Sequence, residues 1–455
     1  MATLHASLFA PHDRARSTRR LTPLRLAAFS SLALPIYAAQ SPVAVYLPAI
    51  YAEHYGMPLT TLGLIFLLER IWGTLADPLI GFLGDRGSAR LGRRRTWIIA
   101  GALVYAVAAA MLFFPPAGFS APLLAVSLFL FYLGWSMIQI PYLAWAGEIS
   151  ADYDERTRIA TYGTVAGAIS LLLVLILPTI IDQLRPDDAP LKLASFGLVV
   201  IGGLVVTLPL ALSAVEDNSR PPAANARIPF GRAVRLIVGE RLLLRVIASD
   251  FAVTTGQLIR SALIVFFVSA YMGRPEWASG LFLFQFVFGI AAGPIWMRIA
   301  TRLGKHRTAI LGELVQVAIN LGLLLVTPAR FPLLLALTLA QGLAQGSGNL
   351  MLRSMVADVA DKHRLETGAD RTTLFFSVFS LTGKAGMAAA VGIALPLVAW
   401  LGFAPTGPNT PAALDGLLLV FALGPALAHL ISAACLYGFP LDQAEHARIR
   451  RALAA

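Results

Sequence analysis

The sequence predicts an all-α, polytopic membrane protein: twelve transmembrane helices in two pseudo-symmetric six-helix bundles. Three observations carry this. Apolar residues make up 57% of the 455 residues, and they come in blocks of about 20, the length an α-helix needs to cross the hydrocarbon core. Charged residues make up only 13%, about half of what a soluble domain carries. Finally, one basic phrase occurs twice, as "RLGRRRTWII" at 90–99 and "RLGKHRTAIL" at 302–311.

Cutting the chain at charged and Pro/Gly-rich breaks orders the elements. A basic arm, 1–24, comes first and has no short apolar core with a cleavage site of its own. Six spans follow near 25–51, 60–83, 96–115, 121–147, 159–181 and 193–215, forming an N-terminal bundle over 25–215. A polar stretch with a proline pair, 216–242, reads as a linker. Six more spans, near 243–271, 277–300, 308–328, 331–357, 373–401 and 413–438, form a C-terminal bundle over 243–438, and 439–455 is a tail.

Arg and Lys crowd one set of loops, including both ends, the linker and both copies of the basic phrase. The opposite set holds only Arg185, Lys192, Arg274 and Arg330. The positive-inside rule then places both termini and the linker in the cytoplasm, in a cell inner membrane. The net charge of +11 is thereby explained as topological, and no nucleic-acid partner is expected. Cys435 stands alone in an apolar run, which excludes a disulfide framework and a cysteine metal cluster.

Each basic phrase sits between the second and third span of its half. Equivalent phrases at equivalent places mean parallel repeats related by an axis along the membrane normal. That geometry suits a rocking transporter of a small solute, monomeric in its bilayer. It does not suit a four-subunit pore or a seven-span receptor. The chain has no phosphate-cradling loop, zinc-binding His–Glu pair or nucleophile elbow. An enzyme is therefore not expected, nor any cofactor beyond a coupling H⁺ or Na⁺.

Ionisable groups inside spans are costly and mark functional candidates. Asp77 is the first; it can take and release a proton, or merely pair with Arg70 or Lys384. A hard cation prefers several oxygen ligands, so a lone carboxylate favours H⁺ over Na⁺. Arg70 lies on the same helical face as Asp77. Arg260 has apolar neighbours on both sides, and its planar fork suits a carboxylate or phosphate. Two readings of it stand: a substrate-binding cation, or a partner of Asp250 or of a neighbouring helix. Arg70, Arg260 and Lys384 together would give a cavity that prefers an anionic solute. Tyr37, Gln40, Gln139, Gln257, Gln341 and Gln345 offer neutral hydrogen bonds, with Gln341 and Gln345 either binding solute or joining helices. His429 reads as a satisfied core histidine.

The passage "RIWGTLADPLIGFLGDRGSARLGRRRTW" resembles the signature of the glycoside–pentoside–hexuronide:cation symporter family of the major facilitator superfamily, the melibiose permease type. Arg70-Ile71-Trp72, Asp77-Pro78, Gly81, Asp85-Arg86 and Gly92-Arg93-Arg94-Arg95 come in the family's order. A second segment, with Asp358, Asp361, Gly368, Arg371 and Lys384, is similar to its span-10 to span-11 passage. The resemblance implies a cation site at Asp77 with the hydroxyl of Ser136, and retention of Lys384. It also implies departures: Tyr37 stands for a sugar-binding Asp, Gly73 for the first of two cation-binding acids, and Gln139 for an Asp. Leu143 replaces the aromatic that stacks on sugar, and Thr164 replaces an Arg. The expectation is a cation-coupled symporter of a sugar-like or anionic glycoside or uronide. The alternatives are a transporter of a lipid-like amphipath, an exporter, or a non-transporting scaffold.

The loop residues suggest a cytoplasmic gate. Gly81, Gly84 and Gly87 permit a tight turn, and Asp85 is placed to accept bonds from Arg86, Arg93, Arg94 or Arg95. The second copy has no acid equivalent to Asp85, so the gate is expected to be asymmetric, with Asp358, Asp361 and Arg371 contributing from the other half.

Overall fold

The computed structural model describes residues 21–454 except 87–91, 117, 150–152, 186–187 and 217–229. Its described elements are all helical. In chain order, α1 is Pro23–Glu53, α2 Leu59–Arg86, α3 Arg93–Phe113, α4 Ala121–Glu148, α5 Tyr153–Leu184 and α6 Ala189–Ala214. The second half has α7 Arg241–Tyr271, α8 Pro275–Leu303 and α9 Lys305–Leu325. It continues with α10, in two pieces, then α11 Thr372–Trp400 and α12 Pro411–Leu436. A tail helix, α13, spans Gln443–Ala454. Within the expected linker, Phe230–Gly239 is also helical.

Eleven helices among the described residues are long and apolar enough to cross a membrane. The expected continuous span near 331–357 is not one of them, because α10 breaks into Phe331–Ala344 and Ser347–Thr367. Gly346 at the break has φ +90, a left-handed conformation that costs a residue with a Cβ about 1–2 kcal/mol. The freed carbonyls are satisfied nearby, as bilayer depth requires. Trp296 Nε1 donates to Leu343 O at 2.8 Å, Ser347 Oγ to Ala344 O at 2.9 Å, and the Gln345 amide to Gln341 O at 3.0 Å.

The first helix is interrupted in the same spirit. It breaks after Ser30 and carries a π-turn over Pro42–Tyr46. Its carbonyls at Leu34, Pro35 and Ile36 accept from Ser170 Oγ, Tyr105 OH and Trp135 Nε1 at 2.6, 2.9 and 3.0 Å. Three neighbouring helices thus hold its middle.

The two basic phrases begin their helices alike. Gly92 (φ +98) precedes α3, and Gly304 (φ +81) precedes α9. Large apolar side chains such as Leu103, Val107, Leu198, Val205 and Leu427 point outward, as expected where the solvent is lipid. Inside, small residues let helices touch: a Cβ on Gly101 of α3 would lie 2.6 Å from Met137 Cβ of α4.

The halves meet along three seams. The π-turn of α1 packs on α7, α5 packs on α8, and α2 runs along α11. On the last seam a Cβ on Gly63 would lie 2.8 Å from Pro396 Cδ, and one on Gly392 3.1 Å from Leu67 Cδ1. This close approach is at the end of α2 and α11 remote from the basic loops.

Candidate functional site

Near the middle of the α2–α11 seam, Lys384 Nζ donates to Asp77 Oδ2, joining the two halves by an ion pair. Ser136 of α4 donates through Oγ to the other carboxylate oxygen, Asp77 Oδ1, at 2.6 Å. The pair is neither sealed nor open: the side chains are 34% exposed for Lys384 and 18% for Asp77. A carboxylate, an ammonium and a hydroxyl from three helices therefore meet between the halves.

Arg70 takes no part in that pair. Its Nε lies 3.4 Å from Glu69 Oε2, and its guanidinium lies over the Tyr132 ring, 5.0 Å from the centroid. Glu69, which the helical period turns about 100° from Arg70 toward another helix or the lipid headgroups, was not among the expected site residues. It is fully buried, and neither carboxylate oxygen has a hydrogen-bond partner. Its Oε1 lies 3.9 Å from where a Cβ on Gly73 would be. The helix sequence does not say whether the side that Glu69 occupies meets another helix or lipid.

The other first-half candidates are spread along α1, α4 and α5. Tyr37 packs on Gly167 of α5, with its Cδ2 3.1 Å from the position of a Cβ there. Gln139 is half-buried and Leu143 is exposed. Thr164 is exposed, and its hydroxyl turns back to Ala160 O at 2.9 Å.

In the second half, Arg260 is paired with a neighbouring helix, one of the two readings open to it. It is 3% exposed, donates to Asn320 Oδ1 of α9 at 2.9 Å and lies over the Phe421 ring of α12. Its partner is a neighbouring helix, not Asp250, whose carboxylate lies against Gly383. The break in α10 gathers amides: Gln285 Nε2 donates to Gln345 Oε1, and Asn349 Nδ2 to Gln257 Oε1, both at 3.3 Å. Gln341 Oε1 is buried without a partner. His429 is satisfied in part, with Nδ1 2.6 Å from Glu313 Oε2 of α9.

The basic phrases pair within their own halves, each through a different position of the repeat. Arg94 Nη2 reaches Glu148 Oε1 at the end of α4 at 2.7 Å, with Arg93 at 3.8 Å. Lys305 reaches both oxygens of Asp358 in α10 at 2.7 Å. Arg95 Nη2 donates to Val215 O at 2.7 Å. The tail helix joins the second cluster: His446 lies 3.2 Å from Asp358 and 3.3 Å from Asp361, and Arg450 lies 3.6 Å from Asp361. Gly81 is within α2 and Gly92 begins α3, while Arg371 Nε is buried without a partner. The side chains of Asp85 and Arg86 lie outside the described residues, as does the turn at Gly87.

Polar links between the halves also occur at the face opposite the basic loops. Asp182 of α5 accepts from the Ser279 amide at the start of α8 at 3.2 Å and pairs with Lys192 of α6. Gln183 Nε2 donates to Glu276 O at 2.9 Å. At the basic end of α11, by contrast, an open volume of about 600 Å³ lies against Thr372, Phe376, Ser377 and Ser380.

Residues 28–443 match the family described as MFS/sugar transport protein. An uncharacterized symporter of Synechocystis sp. is 25% identical over 90% of this chain and 92% of its own length. A glucuronide carrier protein homolog of Escherichia coli K12 is 24% identical over 88% of each chain. Among solved structures, the nucleoside transporter NupG superposes with a TM-score of 0.66 at 12% identity. The match covers 92% of this chain and 100% of that one, a likeness of fold alone.

Proposed function

Because the chain belongs to the MFS/sugar transport protein family, we propose that this secondary transporter is a proton-coupled symporter of an anionic, sugar-like solute such as a uronide. It sits in a bacterial inner membrane with both termini cytoplasmic. The observation that carries the reading is the Asp77–Lys384 ion pair across the halves, with Ser136 on the free carboxylate oxygen.

The argument is electrostatic. Uncompensated charge is expensive at bilayer depth, so only charge-balanced states of the site can rock between the two faces. Empty, Asp77⁻ and Lys384⁺ neutralise each other. A proton on Asp77 removes that partner and leaves Lys384⁺ wanting an anion. A solute carboxylate supplies one, and Ser136 and the amides at the α10 break are available for hydroxyls. Proton alone or anionic solute alone leaves a net charge; both together do not. Symport follows from this balance. The remote-face links at Asp182–Ser279 and Gln183–Glu276 suit a state open toward the basic side.

The experiment is counterflow and gradient-driven uptake in proteoliposomes, with labelled glycosides, uronides and lysolipids as probes. One uronide is expected to accumulate with an inward proton gradient and not with a sodium gradient. Asp77→Asn should abolish accumulation while keeping counterflow, because a permanently neutral residue 77 still allows a Lys384–anion pair. Accumulation undiminished in Asp77→Asn defeats the reading. Preference for lysolipids would replace the solute class.

A further inference from the structure

The repeat that aligns Arg93 with Lys305 aligns Gly101 of α3 with Glu313 of α9. The first half uses that glycine to lay α3 directly on α4. The second half puts a carboxylate there. Its Oε1 occupies the space a Cβ on Gly348 would need, at the N-terminus of the second piece of α10. A helix N-terminus carries partial positive charge and unpaired amides, so it attracts an anion. Glu313 thus steadies the broken end of α10 from α9.

Glu313 does not stand alone. His429 Nδ1 lies 2.6 Å from its Oε2, and the two side chains are 1% exposed for His429 and 2% for Glu313. His429 Nε2 has no hydrogen-bond partner, nor has Gln316 Oε1 one turn further along α9, nor Arg260 Nε beyond it. Asn320 links Arg260 to the column and donates to Gln316 O at 2.8 Å. On the other side, the Ser249 and Ser432 hydroxyls bond at 2.8 Å. Leaving buried polar groups unsatisfied is costly, and of the three in this column His429 Nε2 is the one that can take a proton.

We propose that Glu313 and His429 form a proton-binding site inside the C-terminal bundle, and that its occupancy sets the position of the break in α10. With Nδ1–H donated to Glu313, His429 keeps a lone pair at Nε2. A proton taken there converts a net negative pair into a neutral one, and the carboxylate's pull on the α10 amides weakens. The amides that move are those of Gln345 and Asn349.

The other charged groups on the packed elements are engaged elsewhere or lie at the ends. Arg260 of α7 binds Asn320, Asp250 lies against Gly383, and Arg245 donates to Cys435 O and Tyr437 O. Lys305 of α9 pairs with Asp358 of α10, and Lys384 of α11 pairs with Asp77. His306 and Arg307 lie at the basic end of α9 and Asp415 at the opposite end of α12. Arg298 and Arg302 of α8 and Arg353 of α10 are exposed. The proposal goes beyond the coupling reading and holds whichever ion Asp77 takes.

The test uses the full chain in nanodiscs, with Cys435→Ser and a reporter Asn349→Cys. Maleimide labelling of the reporter, divided at each pH by the labelling of the same chain unfolded in detergent so that thiolate formation cancels, should change about threefold or more between about pH 5 and pH 8. His429→Gln and Glu313→Gln should each remove that dependence, while Asp77→Asn should keep it. Infrared pH-difference spectra of the chain without the reporter should lose imidazole signal in His429→Gln and carboxyl signal in Glu313→Gln. Labelling whose pH dependence survives both variants, or spectra unchanged by them, overturns the proposal. Should a single variant fail to fold, Glu313→Gln/His429→Gln, which keeps a neutral hydrogen-bonded pair, carries the same readouts.

Discussion

With glycine at 73, the carboxylate that α2 brings to Lys384 is Asp77, and Ser136 takes its second oxygen. Removing one member of a fully buried pair costs roughly 3–5 kcal/mol, because the survivor is left uncompensated. Both side chains here keep some exposure, so Asp77→Asn or Lys384→Gln alone should lose on the order of 2 kcal/mol. The double variant should recover part of that, with a coupling of about 0.5–3 kcal/mol. Thermal melts of the four proteins in one detergent measure it; strictly additive losses would mean that the pair does not couple. Asp77 and Lys384 were legible in the sequence as charges inside apolar blocks. Glu69 is such a charge too, but its burial, deeper than that of Asp77, was not legible. The 3.6 period turns Glu69 about 100° from Arg70 but does not say whether that side meets another helix or lipid, so the acid's environment depends on its neighbours.

At the scale of single helices, α10 is where pattern and structure part. Its apolar block reads as one span, but the chain turns at Gln345 and Gly346 and restarts at Ser347. What favours the break is not local: Trp296 of α8 binds Leu343 O, and Glu313 of α9 meets the new N-terminus. Gly346→Ala keeps the hydropathy of the block but puts a Cβ at φ +90. It should lower stability by about 1–2 kcal/mol, seen as a lower melting temperature. An unchanged melt would mean that the break can straighten at no cost. The interruption of α1 is supported in the same way, by side chains of α3, α4 and α5 on its carbonyls.

For the whole molecule, the links at the remote face decide which side is shut. A cysteine pair at Gln183→Cys and Glu276→Cys, in a Cys435→Ser background, should cross-link under mild oxidation. The cross-link should stop solute exchange, because a cycle that exposes both faces must part α5 from α8. Gel mobility reports the cross-link and vesicle uptake reports its effect. Full exchange by a fully cross-linked protein would mean that this seam does not open. At this scale the sequence was most readable: each copy of the basic phrase forms an ion pair within its own half, Arg94–Glu148 in the first and Lys305–Asp358 in the second.

The sequence by itself determined the membrane class, the two halves, the family and the presence of Asp77 and Lys384 inside apolar spans. Each of these is written in local composition or in a repeated phrase, which chain length and bilayer thickness suffice to interpret. Only the tertiary structure decided who partners whom. It gave Asp77 to Lys384 and not to Arg70, gave Arg260 to Asn320 and not to Asp250, buried Glu69, and set Glu313 with His429 against a broken helix. The physical reason is that hydrophobic patterning loses its direction in lipid. With apolar surroundings outside and in, the fate of a polar group is set by the helix that packs on it, from far along the chain.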